Sequence, residues 1–445
     1  MAAAGSFLKA QAAPRAGRAA LGPRGVAVAA TIGTAIEWYD FFVYGTSIVL
    51  VLGPLYFPAD DPLNSALLAF STFGVGFLVR PLGAVVLSHF GDRVGRRQAL
   101  VFSLLLMGAA TTAVGLVPTY AQIGVWAPVL LVLLRCAQGF AVGGEWGGAV
   151  LLAMEHAPTR RRGLFGSFPQ YGTPLGLIGS SLAILMAVSM PADEFRSWGW
   201  RIPFLASSLL VVVGLWLRVR VSDAEEFLAV RRAGDTARRP VAEVLRRHGR
   251  FVVVGTAVTF VCHSGYIMTS FLPAYATTVL AVSDEAALVS LIIGAAGLVA
   301  VLAVVGMAAD GHGRPWFAVA GGLLSAAWAF PAFILSEVAG GLGLVVAVTV
   351  ALAVGGCQYA VLPALLADLF PVHLRYSGIS LCFQISAVLG GGVVPIVATW
   401  WVGVADGSFV PAAAIMAFAG LVTVAGALAC RRAMTGRADV TAAPR

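Results

Sequence analysis

The sequence predicts an all-α integral membrane protein in which twelve transmembrane helices form two six-helix bundles. Three observations predict it: an apolar composition, twelve apolar spans in two groups, and a short loop motif that occurs once in each group. Of 445 residues, 59% are hydrophobic and 11% charged, with a mean hydropathy of +0.89. Too few polar side chains are present to cover a soluble fold of this length. The basic excess, pI ≈ 9.6, is nearly all arginine, the one lysine being Lys9, and it falls in short runs between apolar spans. That distribution suits membrane topology and argues against a nucleic-acid-binding face.

An α-helix needs ~20 apolar residues to cross ~30 Å of hydrocarbon. Spans of that kind start near Val26, Asn64, Ala99, Ile123, Gly163 and Trp200, and again near Arg250, Asp284, Pro315, Gly340, Tyr376 and Phe409. The expected organisation is a cytoplasmic tail over 1–25, a first bundle over 26–220, a cytoplasmic linker over 221–249, a second bundle over 250–432, and a cytoplasmic tail over 433–445. The first tail carries Lys9, Arg15, Arg18 and Arg24. The span after it is too long and too polar for a signal-peptide core. The linker carries Glu225, Glu226, Arg231, Arg232, Arg238, Arg239, Arg246 and Arg247.

Arginines set the orientation. Arg93, Arg96 and Arg97 follow the second span, Arg160, Arg161 and Arg162 the fourth, Arg314 the eighth, Arg375 the tenth, and Arg431 and Arg432 the twelfth. The opposite loops hold Asp60, Asp61, Asp193, Glu194, Glu337 and Asp406, with Arg196 and Arg201 as exceptions. By the positive-inside rule both termini are cytoplasmic.

The loop GDRVGRRQ, residues 91–98, is echoed by ADGHGRPW, residues 309–316. An Asp, a Gly and an Arg recur at the same spacing, as two bundles related by a parallel repeat would place them, with a substrate site between the halves near the midplane. Asp92 is placed to accept hydrogen bonds from a neighbouring helix start, while Arg96 and Arg97 pair with carboxylates or lipid headgroups. The expected cytoplasmic gate comprises Gly91, Asp92, Gly95, Arg96, Arg97, Glu145, Arg162, Asp310 and Arg314; the bland alternative is a purely topogenic basic loop.

Carboxylates inside a bilayer are costly, so Glu37 and Asp40 in GTAIEWYDFFVYGT, residues 33–46, need a reason. At ~1.5 Å per residue both lie close to the bilayer centre, and Arg135 of the antiparallel fourth helix lies at a matching depth. Asp40 with Arg135 is therefore one candidate buried pair, and Arg80 with Glu145 a second. Glu37, Asp40 and Glu145 face only Arg80 and Arg135, which leaves one acid over to bind a proton or a cationic ligand. The second half offers His263, as a ligand or as a neutral packing histidine. Structural salt bridges are the alternative for both arginines.

Gly139 with Gly143 and Gly144 with Gly148 are GxxxG spacings, and Gly172, Gly176 and Gly179 lie beside Pro169 and Pro174, a pattern that permits close approach and bending. Polar side chains among them, Gln138, Gln170 and Tyr171, with Tyr266, Gln358, Tyr359 and Gln384 and with Tyr39 and Tyr44, are candidates to line a polar cavity. Cys136, Cys262, Cys357, Cys382 and Cys430 are scattered through apolar spans with no CxxC, and read as core residues rather than metal ligands or disulfides. No HExxH, GxxxxGK[ST] or GxSxG occurs, so nothing supports an enzyme.

EWYDF (37–41), YG (44–45), RPLG (80–83), GDRVGRR (91–97), RCAQGFAVGGEWGG (135–148), EHAPTRRRG (155–163) and WGWRIPF (198–204) together resemble the metabolite:proton symporter family of the major facilitator superfamily. The likeness is strong over the first half, and weaker over the second through ADGHGR and LFPVHLRYSG (369–378). The strings look most similar to the shikimate-transporter branch, whose neighbours carry α-ketoglutarate, citrate, other carboxylates, or proline and betaine. The resemblance implies the major facilitator fold, proton-coupled uptake by alternating access, a small-molecule substrate, an inner or plasma membrane location, function as a monomer and no cofactor. It also implies that Asp40 and Arg135 act as a proton-coupling acid and its partner, and that Arg80 serves anionic substrates. In that scheme a proton neutralises Asp40 or Glu37, and Arg135 or Arg80 is freed to attract a substrate carboxylate, with His263, Tyr266 and Gln170 as partners. The eighth-to-ninth loop departs from the pattern with a single Arg, and Gln384 stands where relatives often have Asn. A zwitterion carrier for proline or betaine is the alternative, and a non-transporting receptor a further one.

Overall fold

The computed structural model describes residues 21–58, 62–158, 161–221, 240–405 and 407–442. Lys9, Arg15, Arg18, Asp60, Asp61, Arg160, Asp406 and the linker charges from Glu225 to Arg239 lie outside the described residues.

The first six long helices are α1 (Pro23–Ser47), α2 (Pro62–Val94), α3 (Arg96–Leu116), α4 (Trp126–Glu155), α5 (Arg162–Val188) and α6 (Ile202–Arg218). The second set begins with α7 (Pro240–Ser264), which continues to Thr278, and α8 (Asp284–His312). Arg314–Leu369 is an apolar stretch long enough to cross twice, and at Gly340 the backbone takes φ +54°. This left-handed conformation is open to glycine without a Cβ clash, and it folds the stretch into α9 (314–339) and α10 (341–369). The set ends with α11 (Val372–Val402) and α12 (Val410–Ala442). Eleven helices of the described chain are long and apolar enough to span a bilayer, and the division at Gly340 makes twelve.

Local chemistry starts several of these helices. Proline occupies the first turn of α1, α6 and α9, where its missing N–H costs nothing and its fixed φ suits the helix. Residues 240–249, expected as linker, are helical and form the first part of α7, set off by a kink at His248, φ −124°. An amphipathic segment with charges on one side looks like a polar connection when only composition is read.

Helices α1 to α6 pack on one another, chiefly α2 on α4, α1 on α5, and α3 on α4 and α6; α7 to α12 do the same through α8, the α9–α10 stretch, α11 and α12. Across the seam α2 and α4 meet α11, and α5 meets α8. The α2–α4 contact shows why glycine recurs: a methyl on Gly139 would strike the Gly76 carbonyl, and one on Gly143 the Arg80 carbonyl. Small residues let the two backbones touch. Leu133, Leu209, Val253 and Val338 face outward, while Glu37, Asp40, Arg80, Arg135, Glu145, Arg218 and His263 are all buried. Apolar outside and polar inside is the inversion a lipid-embedded bundle requires.

Candidate functional site

Glu37 and Asp40 are one turn apart on α1, and both are buried, at 3% and 0% exposure. The Asp40 carboxyl lies beside the hydroxyls of Thr111 on α3 and Ser207 on α6. Neither hydroxyl closes a bond to it: both Asp40 oxygens and Ser207 Oγ lack a hydrogen-bond partner, and Thr111 donates to the Met107 carbonyl. The expected pair of Asp40 with Arg135 is not formed. Arg135 donates from Nη1 to Gln138 Oε1 at 2.8 Å, and its guanidinium lies 4.1 Å from the centre of the Tyr44 ring. Gln138 passes the contact on to Thr111 Oγ1 at 2.8 Å. Arg135 reaches the Tyr44 ring, one turn along α1 from Asp40, so the two charges meet different neighbours.

The second expected pair, Arg80 with Glu145, is also absent. Arg80 rests on the faces of Phe77 and Phe41, 4.1 and 4.8 Å from the ring centres, next to Tyr266 of the second bundle. Glu145 instead binds Arg218, the last residue of α6, with Oε1 2.5 Å from Nη2, and the same nitrogen is 3.3 Å from Glu37 Oε1. The interior of the first bundle thus holds a third cation beyond Arg80 and Arg135. Arg218 ends an apolar run and begins a basic one, which in sequence reads as a topogenic charge; nothing in the string says that it folds back inside.

Between the bundles lies a cavity of about 100 Å³, closed on one side by Trp38, Phe42 and Thr173 and on the other by His263, Tyr266, Tyr359 and Phe383. Trp38 and Phe42 stack, ring centres 5.4 Å apart. His263 Nδ1 sits 3.0 Å from Ser386 Oγ, its ring stands edge-on to Phe383, and Nε2 has no partner. Tyr266 is the partition, since it lines the cavity on one face and meets Phe41 and Phe77 at 5.9 and 5.7 Å on the other. Behind that partition Arg80, Arg135 and Gln138 line a second, tighter pocket. The sequence EWYDFF therefore serves three surfaces at once: Trp38 and Phe42 face the cavity, Phe41 faces the arginine pocket, and Glu37 and Asp40 face the bundle interior.

The other predicted residues are dispersed around this centre. Tyr39 donates to the Pro203 carbonyl at 2.8 Å, and Tyr44 shares a 2.6 Å bond with Thr72, both within the first bundle. Gln170 accepts from Trp146 Nε1 at 2.7 Å and donates to the Tyr359 carbonyl across the seam at 2.9 Å. Gln384 donates to the Val142 carbonyl across the seam at 3.2 Å. Tyr171 is half-buried with its ring near Phe168.

The end marked by the arginines, here the basic end, is tied shut twice. Asp92 accepts from Ser377 N at 3.2 Å and Ser377 Oγ at 2.8 Å, at the start of α11. Asp310 accepts from Gly163 N and Leu164 N, both at 3.1 Å, at the start of α5. Each aspartate of one bundle thus caps a helix of the other, where N–H groups lack intrahelical partners and the dipole favours an anion. The glycines of the repeated motif, Gly95 and Gly313, both take positive φ, +140° and +81°. The arginines that follow are also equivalent: Arg96 pairs with Glu155 at the end of α4, and Arg314 bridges Asp310 at 2.9 Å and Asp368 near the end of α10 at 3.1 Å. Gly91 lies under the Tyr376 ring, and Tyr376 Oη donates to the Gly144 carbonyl at 2.6 Å. Arg97 and Arg162 lie at the same end, partly exposed. Sequence reading missed Trp146, Tyr376 and Ser377 because a cross-bundle contact leaves no periodic trace.

Two bundles joined by polar ties, with ionisable groups buried inside, define a secondary transporter. Residues 26–250 match the model of the sugar (and other) transporter family, and the chain belongs to that family within the major facilitator superfamily. It is 40% identical over 382 residues to the inner membrane metabolite transport protein YhjE of Escherichia coli K12, covering 84% of this chain and 87% of that one. It is 38% identical to the shikimate transporter of Escherichia coli K12, over 86% of this chain and 87% of the relative. It is also 35% identical to the proline/betaine transporter of Salmonella typhimurium, over 89% and 81%. The fold resembles that of the proton:xylose symporter XylE bound to 6-bromo-6-deoxy-D-glucose, TM-score 0.76 at 18% identity, over 93% of this chain and 96% of that one. The protein is a multi-pass membrane metabolite transporter.

Proposed function

We propose that the protein is a proton-coupled symporter that imports a small organic acid by alternating access, as a monomer in the inner membrane with the basic end and both termini cytoplasmic. The observation that carries this reading is a buried acid and a buried base kept apart. Asp40 has only the hydroxyls of Thr111 and Ser207 beside its carboxyl, and Arg80 rests on aromatic rings beside Tyr266 of the opposite bundle. A bare carboxylate at that depth is costly, and a proton removes the cost. A guanidinium held flat by ring faces keeps its edge for a carboxylate. The substrate body occupies the cavity between Trp38 and Tyr359, its carboxylate reaches past Tyr266 toward Arg80, and His263 Nε2 supplies a further polar contact. Neutralised in this way, the centre can pass through an occluded state while the ties at Asp92 and Asp310 break and re-form.

A second reading has one specific observation in its favour. The cavity is walled by Trp38, Phe42, Tyr266, Tyr359 and Phe383 with no carboxylate among its lining residues, and ring faces attract quaternary ammonium groups. Betaine then replaces the organic acid, with its carboxylate on Arg80 and its cation among the rings. Purified protein in liposomes, given an acid-outside gradient and labelled shikimate, α-ketoglutarate, citrate, benzoate or betaine, separates the two. Accumulation of an organic acid, abolished by a protonophore, supports the first reading; accumulation of betaine alone selects the second; uptake that ignores the pH gradient contradicts proton coupling.

A further inference from the structure

Arg218 is engaged by two carboxylates and a backbone carbonyl at once. Besides Glu145 at 2.5 Å, its Nη1 lies 3.3 Å from Glu37 Oε1 and also donates to the Leu100 carbonyl. A methyl placed on Gly33 would sit 2.6 Å from Nη2, so the guanidinium fills its seat. Four helices, α1, α3, α4 and α6, meet at this one group. The two carboxyls that share it also face each other. Glu37 Oε2 is buried with no hydrogen-bond partner, and both carboxyls close on the same Arg218 nitrogen, Nη2. Like charges this close in an apolar interior do not both stay ionised. The charge count agrees, since two carboxylates against one guanidinium leave one negative charge uncompensated.

We propose that Glu37 and Glu145, bridged by Arg218, form a proton-binding carboxyl pair separate from Asp40 and placed toward the basic end, where it governs the tie between α4 and α11. The inference rests on the proton-coupled reading for its role in transport, though not for the proton itself. Other groups facing the pair are Asp40, one turn along α1; Thr34, whose hydroxyl is 3.4 Å from Glu145 Oε1; Tyr376 of α11; and Tyr359 of α10. From α3 the contact is the Leu100 carbonyl, while Arg96 one turn earlier is engaged with Glu155.

Position gives the pair its leverage. The turn of α4 that carries Glu145 toward Arg218 presents its other faces to the second bundle: the Gly144 carbonyl accepts from Tyr376, and Trp146 stacks on Phe383 at 3.8 Å. Departure of the shared proton leaves two carboxylates repelling across one cation, and the strain falls on that turn. Asp40 and Glu37, a helical turn apart on α1, then form two stations of one proton route, with Arg218 as the positioning residue of the second.

Infrared spectroscopy of the full-length protein in nanodiscs, titrated between acid and alkaline pH without substrate, tests the pair directly. The expected result is a protonated-carboxyl band at neutral pH with one component that is lost in both Glu37→Gln and Glu145→Gln and kept in Asp40→Asn. In Arg218→Gln that component should roughly double as the second carboxyl also takes a proton. Hydrogen exchange over residues 376–384 should rise with pH in the native chain and become pH-independent in Glu145→Gln. A band unchanged by both glutamine substitutions, or an exchange response that survives Glu145→Gln, overturns the proposal. Uptake by the native protein that ignores the pH gradient would overturn the proton-coupled reading while leaving the infrared result intact, so the two can fail separately.

Discussion

Trp146 of the first bundle lies flat on Phe383 of the second, ring centres 3.8 Å apart and planes 9° from parallel. Its indole N–H is simultaneously bonded to Gln170, which holds the Tyr359 carbonyl across the same seam. One side chain therefore joins a stacking contact to a polar relay, and both must part when the basic end opens. Trp146→Ala removes the stack and strands Gln170 Oε1; large-to-small changes of this type cost about 3–5 kcal/mol. Thermal unfolding in detergent should show a clear loss of stability, with Trp146→Phe recovering part of it by keeping the stack without the hydrogen bond.

The two aspartate caps should act independently because they sit on different seams. Asp92→Asn retains an acceptor and loses the charge, a change worth about 1 kcal/mol per charge-assisted bond. Hydrogen exchange at the start of α11, residues 375–380, should quicken in Asp92→Asn while residues 161–166 stay as they were. Asp310→Asn should reverse that pattern. Equal acceleration at both helix starts in either variant would mean that the ties are one cooperative unit.

Arg80→Lys keeps the positive charge and loses the planar group that Phe41 and Phe77 hold. For a carboxylate substrate the expected result is a rise in KM of about tenfold, equivalent to ~1.4 kcal/mol, with little change in melting temperature. An unchanged KM would remove Arg80 from the substrate site.

The close contact of α2 with α4 leaves no room for a side chain at Gly139, where a methyl meets the Gly76 carbonyl. Gly139→Ala should raise helix propensity and still lower stability, since overpacking costs about 1–3 kcal/mol. The same substitution at Gly355, where nothing lies within 4 Å of the added methyl, should be neutral or mildly stabilising. Melting temperatures of the two variants side by side check the assignment.

Much of this molecule is readable before any coordinates. Twelve crossings follow from apolar length, and the Asp–Gly–Arg echo at 92–96 and 310–314 announces two related bundles. The echo even marks two of the positive-φ glycines, Gly95 and Gly313, because the turn demands that residue. Charge pairing was less legible. The pairing of Asp40 with Arg135 was argued from depth alone, but depth is one coordinate of a helix and the facing direction is another; a single sequence carries no absolute rotation. Arg218 was hidden for a different reason. At the end of an apolar run a basic residue is the ordinary topogenic signal, and its return to Glu37 and Glu145 depends on the long flexible side chain and on the gap left by Gly33. The contacts of Trp146, Tyr376 and Ser377 join residues more than two hundred positions apart, for which local pattern has no signature.

Proton coupling through Asp40 is the central claim, and one comparison tests it most directly. Asp40→Asn and the native protein are reconstituted in liposomes, and each is assayed for accumulation under an acid-outside gradient and for exchange of labelled against unlabelled substrate without a gradient. Native protein should do both, with accumulation falling as the outside pH is raised and the buried carboxyl loses its supply of protons. Asp40→Asn, fixed in a neutral state, should retain exchange and lose gradient-driven accumulation. If the variant still concentrates substrate in response to the pH gradient, Asp40 is not the coupling acid and the scheme built on it is wrong.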